Sequence, residues 1–221
     1  YSFMPAMDRT ITGGMPTAML QKLLWHGHVV WYDYFFYAFY AAHYVLIVFL
    51  AWMVYKFRKD GFEYFYSVYL LATLSAFVFF VLYPTAPPWM ASSDGYIPHI
   101  TRVSQAVFNS LGVHNFAGLY NRYSPDAAGA FPSLHSAYAS LFSIFTFRFF
   151  GKRWGTLSLI YPLTIFFAVI YLGEHYLTDV IAGVALSFSC YWAVPFLLKK
   201  GRLVYEQVLV RLKLIMNERK W

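Results

Sequence analysis

Charge is scarce in this chain: of 221 residues, 12% are Asp, Glu, Lys or Arg and 60% are hydrophobic. Soluble domains carry about a quarter charged residues, so a water-soluble globule is excluded. Cysteine is almost missing. The single Cys190 lies inside an apolar stretch, which rules out a disulfide framework and a cysteine-based metal site and leaves the redox compartment unreadable. The alternating polar and apolar pattern of barrel strands is also missing. No basic segment followed by a short apolar core opens the chain, and residue 1 is Tyr rather than Met, so a trimmed upstream segment is expected.

What the chain does have is aromatic and apolar mass, with 23% Phe, Trp and Tyr and a mean hydropathy of +0.49. Crossing a hydrocarbon core of about 30 Å takes about 20 helical residues. Five stretches meet or approach that length, at 34–55, 64–83, 133–150, 155–172 and 176–198. They predict an all-α, polytopic transmembrane helix bundle of five spans, with a sixth expected upstream. Residues 1–33 then form an outer interfacial segment, 34–198 the membrane-embedded catalytic bundle and 199–221 a cytoplasmic, basic, amphipathic tail.

Orientation follows from the cations. The segments 56–60, 148–153 and 199–221 hold 13 of the 17 Lys and Arg residues and are assigned to the cytoplasm; Arg9, Lys22, Arg102 and Arg122 fall outside. None of the seven histidines lies in a cytoplasmic segment, so any chemistry they perform is extracytoplasmic. Topology also accounts for the net positive charge, and a nucleic-acid partner is not expected.

Two histidines stand out. In GAFPSLHSAYAS, 129–140, His135 follows Pro132 and Ser133 at the start of the third span. Proline suits a first helical turn, Ser133 can cap the helix or offer its hydroxyl, and the helix start favours an anion such as phosphate. In YLGEHYLTDVIAGV, 171–184, His175 and Asp179 are four apart and share one helical face. A hydrogen bond from His175 Nδ1–H to Asp179 would pair the buried acid and leave Nε2 as a nucleophile. Two imidazoles at one membrane depth outline phosphoryl transfer through a phosphohistidine.

FPSLH, 131–135, and HYLTD, 175–179, resemble two signature motifs of the type 2 phosphatidic acid phosphatase superfamily, whose usual forms are PSGH and SRxxxxxHxxxD. With YPTAPPW, 83–89, the chain resembles the branch of inositol phosphorylceramide synthases and their prokaryotic relatives, over roughly residues 30–198 in the family's motif order. The resemblance implies that His175 attacks phosphorus, Asp179 orients it, and His135 protonates the leaving oxygen and later activates the acceptor, with no metal and no cofactor. It also implies a substrate-entrance role for Tyr83 and Pro84. The family's cations are replaced, by Val169 in one motif and by Ala76 and Tyr83 in another, and Leu134 stands for its glycine. Arg122 and Arg102, in the outer loop, are the candidate phosphate-binding substitutes, together with Ser133.

The leading functional reading is a membrane lipid phosphotransferase whose partners are a phospholipid donor, a lipid or alcohol acceptor and the bilayer, with phosphoinositol as the transferred group. A lipid or polyprenyl phosphate phosphatase, using water as acceptor, is the second reading. A non-catalytic anionic-lipid-binding protein is the third. His43, mid-span without an acidic neighbour in sequence, reads as a packed core histidine. The pair His26 and His28 faces two ways on a helix and does not make a metal site. No oligomeric state follows from the sequence.

Overall fold

Continuous apolar runs in lipid must satisfy their backbone groups internally, and every regular element found is helical. The computed structural model describes residues 3–112 and 129–218, with side chains as far as residue 202. In chain order the helices are α1 (Phe3–Thr12), α2 (Pro16–Leu24), α3 (Trp31–Phe57), α4 (Phe62–Leu82), α5 (Pro88–Ser93), α6 (Val103–Ser110), α7 (Leu134–Ser158), α8 (Ile160–Tyr171) and α9 (Leu177–Glu218). A 3-10 turn, Lys59–Gly61, joins α3 to α4. The described residues contain no strand, only an isolated bridge between Thr85 and Gly129.

By length and apolarity α3, Lys59–Leu82 and Leu177–Arg202 can each cross a membrane, whereas α7 and α8 qualify only as a pair, bent by 52° where they meet. By length and composition the described residues hold three candidate spans, or four with that pair, where five are expected from sequence. The expected spans at 133–150 and 155–172 each fall short of about 20 residues, and Arg148, Lys152 and Arg153 interrupt the apolar run between them. The helical path breaks at Gly151, whose φ of 85° lies where side-chain-bearing residues are strained. There the chain doubles back: Ser143 Oγ donates to the Ser158 carbonyl at 2.9 Å, and Ala139 packs with Ile165 and Val169.

The basic segments gather at one end of the bundle. Arg58 Nε donates to the Phe149 carbonyl at 2.8 Å, Arg148 donates to the Tyr191 hydroxyl at 2.9 Å, and Arg202 pairs with Glu63 at 3.0 Å. Beneath them Leu50, Val54, Phe65, Val68, Phe145 and Val194 form an apolar core. Outward faces such as Val45, Leu70, Leu74 and Phe188 are exposed and apolar, as contact with lipid tails requires. The chain is an integral membrane protein.

At the other end, short helices lock onto the long ones through buried polar groups. Gln21 on α2 is two-sided: its Nε2 donates to the carbonyls of Thr101 and Tyr171 at 2.7 and 2.9 Å, and its Oε1 accepts from Thr101 N at 2.9 Å. Asp33 caps α3 by accepting from Val30 N at 2.8 Å and also receives the Tyr171 hydroxyl at 2.5 Å. The segment before α3, expected to lie along the outer interface, is thereby bound into the bundle.

The contact that places the histidines is between α7 and α9. Ser133 N donates to the Asp179 carbonyl at 3.1 Å, and a Cβ on Gly183 would lie 2.3 Å from the Ser133 oxygen. Only glycine lets the two backbones approach this closely. Gly183→Ala is accordingly expected to cost on the order of 1–3 kcal/mol of stability by overpacking. Gly201→Ala, on the same helix with nothing within 4 Å, should be neutral or gain up to about 1 kcal/mol from helix propensity. Thermal unfolding of both variants in detergent checks this, and equal melting temperatures would show that the α7–α9 contact tolerates a methyl group.

Candidate active site

Ser133 is the N-cap of α7; its Oγ accepts from Ser136 N at 3.3 Å, which starts the helix at Leu134 and places His135 in its first turn. Ser133 itself is fully buried and does not line the neighbouring cavity, so its hydroxyl serves the helix start. His175 sits in the turn between α8 and α9. That turn is fixed by Val169, whose carbonyl accepts from both Glu174 N and His175 N at 3.0 and 3.1 Å. The position where the family carries an arginine is thus a fully buried core residue whose backbone holds the turn.

The two imidazoles meet. His175 Nε2 lies 3.3 Å from His135 Nδ1. On its other side His175 Nδ1 is 3.0 Å from the Ala130 carbonyl and 3.5 Å from Asp179 Oδ2. The sequence reading expected the Nδ1–H bond to go to Asp179; the nearer acceptor is the backbone, and both orient the ring the same way. A proton on Nδ1 leaves the Nε2 lone pair facing His135.

Asp179 has a second task. Its Oδ2 accepts from Tyr176 N at 2.9 Å, the return half of a capping box at the start of α9. Its Oδ1 is buried with no partner among the described residues. Asp8, 169 residues away on α1, completes the cap by accepting from Leu177 N at 3.1 Å, Thr178 N at 2.9 Å and the Thr178 hydroxyl at 2.6 Å.

A cavity of about 300 Å³ opens beside the histidines. At one end it is lined by Trp89, Arg102 and Glu174, and at the other by Tyr44, Thr73 and Phe77 from α3 and α4. Arg102 therefore lines the same cavity as the histidines, with its Nε 2.9 Å from Glu174 Oε1 and its guanidinium 4.2 Å from the Trp89 ring centroid. Arg122 lies outside the described residues. Tyr83 and Pro84 do not line the cavity; Tyr83 packs edge-on against Phe131. The rest of that stretch supports the site instead. The Thr85 carbonyl accepts from Ala130 N at 3.0 Å, steadying the Ala130 carbonyl that meets His175, and Trp89 N donates to the Gly173 carbonyl at 3.2 Å.

Four residues near the chemistry were given no part in the site by the sequence reading. His43, read as a core histidine, is buried but lines the cavity with its ring centroid 4.2 Å from that of His135; Tyr40, one turn earlier on α3, stacks on His135 at 4.5 Å. An ionisable residue in mid-span was the available signal. Asp8 and Glu174 gave none, because their partners are remote in sequence.

A family model described as the PAP2 superfamily matches residues 5–193, and those residues include every element just described around the two histidines. The chain belongs to the PAP2 superfamily. It is similar to a phosphoinositol dihydroceramide synthase of Bacteroides thetaiotaomicron, 29% identical over 151 residues, covering 65% of this chain and 48% of that protein. It is also similar to inositol phosphorylceramide synthase catalytic subunits of Schizosaccharomyces pombe, 28% identical over 49% of this chain and 27% of that protein, and Saccharomyces cerevisiae, 31% identical over 48% and 28%. The chain spans about half the length of the bacterial relative and about a quarter of each yeast relative. No solved structure shows a significant match. Within this PAP2 scaffold the cap from α1 is a checkable dependence: Asp8→Ala leaves part-buried donors of α9 unpaired and should lower stability by on the order of 1–2 kcal/mol, read as a drop in melting temperature, with Asp8→Asn closer to wild type.

Proposed function

We propose that the chain is a membrane lipid phosphotransferase. It moves a phospho-headgroup, phosphoinositol by the likeness to its relatives, from a phospholipid to a hydroxyl acceptor through a phosphohistidine at His175. The observation that carries this reading is the 3.3 Å approach of His175 Nε2 to His135 Nδ1 beside a cavity, with the opposite edge of His175 held by Ala130 and Asp179.

The steps follow from that geometry. A phosphodiester enters between the imidazoles and replaces their mutual hydrogen bond. His175 Nε2 attacks phosphorus, the bond from phosphorus to the lipid oxygen breaks, and His135, in its protonated form, gives that oxygen a proton. Diacylglycerol leaves. His135 next takes the proton of an incoming hydroxyl, whose oxygen attacks phosphorus and breaks the bond to Nε2. The ring of His175 is positive while it carries the phosphoryl group. Asp179, 3.5 Å from Nδ1 and with an unpaired oxygen, answers a charge that is absent in the resting enzyme. An interaction that strengthens only as the reaction proceeds lowers the barrier rather than improving binding.

A cavity of about 300 Å³ suits a headgroup and its phosphate, with the lipid chains outside. Tyr44 and Phe77 line it and are also exposed on α3 and α4, which supports lateral access from the bilayer. The basic segments gather at the far end, and by the charge rule for membrane orientation the histidines then face the extracytoplasmic side.

The deciding experiment supplies purified protein in lipid with phosphatidylinositol labelled at phosphorus, plus a long-chain alcohol acceptor such as a ceramide. Label is expected in a new lipid, with diacylglycerol released in equal amount. Label in free phosphate or inositol phosphate alone would mean that water is the acceptor. His175→Ala should reduce turnover on the order of 10³-fold or more. Asp179→Asn should lower kcat about 10²-fold with little change in KM. Turnover that survives in His175→Ala would overturn the nucleophile assignment.

A further inference from the structure

Glu174 is an acid with no task in the steps above, yet it lies 8% exposed in the cavity wall immediately before the nucleophile. Its Oε1 accepts from Arg102 Nε at 2.9 Å and from the Ser104 hydroxyl, and its Oε2 accepts from Arg102 Nη2 at 3.4 Å. The Arg102 guanidinium rests over Trp89, whose indole N–H is buried without a partner among the described residues. The lining at this end thus sets a carboxylate that accepts beside a guanidinium that donates.

We infer that Glu174 is a headgroup-selecting residue: it accepts hydrogen bonds from the hydroxyls of an uncharged polyol headgroup while Arg102 turns toward the phosphate. The inference rests on the phosphotransferase reading. When a phosphodiester draws on Arg102, the carboxylate loses part of its partner in a nearly closed wall and needs new donors. Two headgroup classes could supply them. An ammonium group would pair with Glu174 but also sit beside the guanidinium and suffer like-charge repulsion; it only donates, so it cannot accept from the guanidinium N–H groups. A hydroxyl carries no charge, donates to Glu174 and accepts from the Arg102 guanidinium. A polyol does both at once with neighbouring hydroxyls.

The test compares phosphatidylinositol, phosphatidylglycerol and phosphatidylethanolamine as donors, reading diacylglycerol release by wild type and Glu174→Gln. Wild type should prefer the two polyol donors. Glu174→Gln should raise KM for phosphatidylinositol about tenfold or more, as expected for lost bonds to a charged acceptor, and reduce its preference over phosphatidylethanolamine by a similar factor. An equal fall in kcat for all donors, with the preference intact, would reduce Glu174 to a structural partner of Arg102 and overturn the inference. So would a wild-type preference for the ammonium headgroup. Absence of diacylglycerol release from every donor would instead sink the phosphotransferase reading. In that event binding of water-soluble glycerophosphoinositol against glycerophosphoethanolamine, by calorimetry, still decides for Glu174: the polyol probe should bind more tightly to wild type, with the difference lost in Glu174→Gln.

Discussion

The site depends on one backbone contact. Ser133 N–H bonds to the carbonyl of Asp179, and Gly183, one turn further along α9, leaves room for the Ser133 oxygen. These few atoms fix the start of α7 against the first two turns of α9. His135 follows Ser133 by two residues, and Asp179 and His175 flank the start of α9, so their separation is set by backbone rather than by flexible side chains. Catalytic groups placed by rigid elements keep their geometry when solvent and substrate exchange.

That contact works because both helix starts are satisfied within the protein. The first N–H groups of a helix have no partners of their own, and in a medium poor in water each costs free energy if left bare. Here Ser133 closes α7, while Asp179 and Asp8 together close α9. Asp179, the residue proposed to orient the nucleophile, is therefore also part of a cap, and α1 supports the site although it holds none of the proposed reacting groups. The PAP2 motif spacing of His175 and Asp179 serves two requirements, a carboxylate 3.5 Å from the histidine ring across the helix start and a capping position at the third residue of α9.

Much of this was legible in the sequence, and the limits have physical causes. Composition gave the helical membrane class, because a chain this poor in charge cannot fold in water. His135, His175 and Asp179 could be named because two short motifs at one membrane depth, together with their resemblance to the family's signatures, marked them. The span count is least legible where length is marginal: two runs shorter than a bilayer requires are the arms of a bend at Gly151. Asp8, Gln21 and Glu174 stayed hidden for another reason. Each acts through partners about 70 to 170 residues away, and no periodicity or motif encodes such pairings. His43 was visible as an intramembrane ionisable residue, but its contact with His135 requires knowing which face of α3 meets α7.

The pairing of Arg102 with Glu174 also bears on which phosphate the site can accept. A phosphomonoester near neutrality carries close to two charges, and a diester carries one. The described cavity wall offers a single guanidinium, already opposed by a carboxylate; of the family's cation positions, two are the buried residues Val169 and Ala76 and the third is Tyr83, which does not line the cavity. Holding a dianion there would leave charge uncompensated in a wall of low polarity, whereas a monoanion can share Arg102 with Glu174 and draw on the start of α7. This favours a diester donor, and a diester attacked by His175 keeps its headgroup on phosphorus. What leaves is then the lipid alcohol, and what the histidine carries is an esterified phosphoryl group that still needs a hydroxyl to take it. The charge balance of the pocket and the transfer chemistry proposed for it thus impose the same requirement on the substrate.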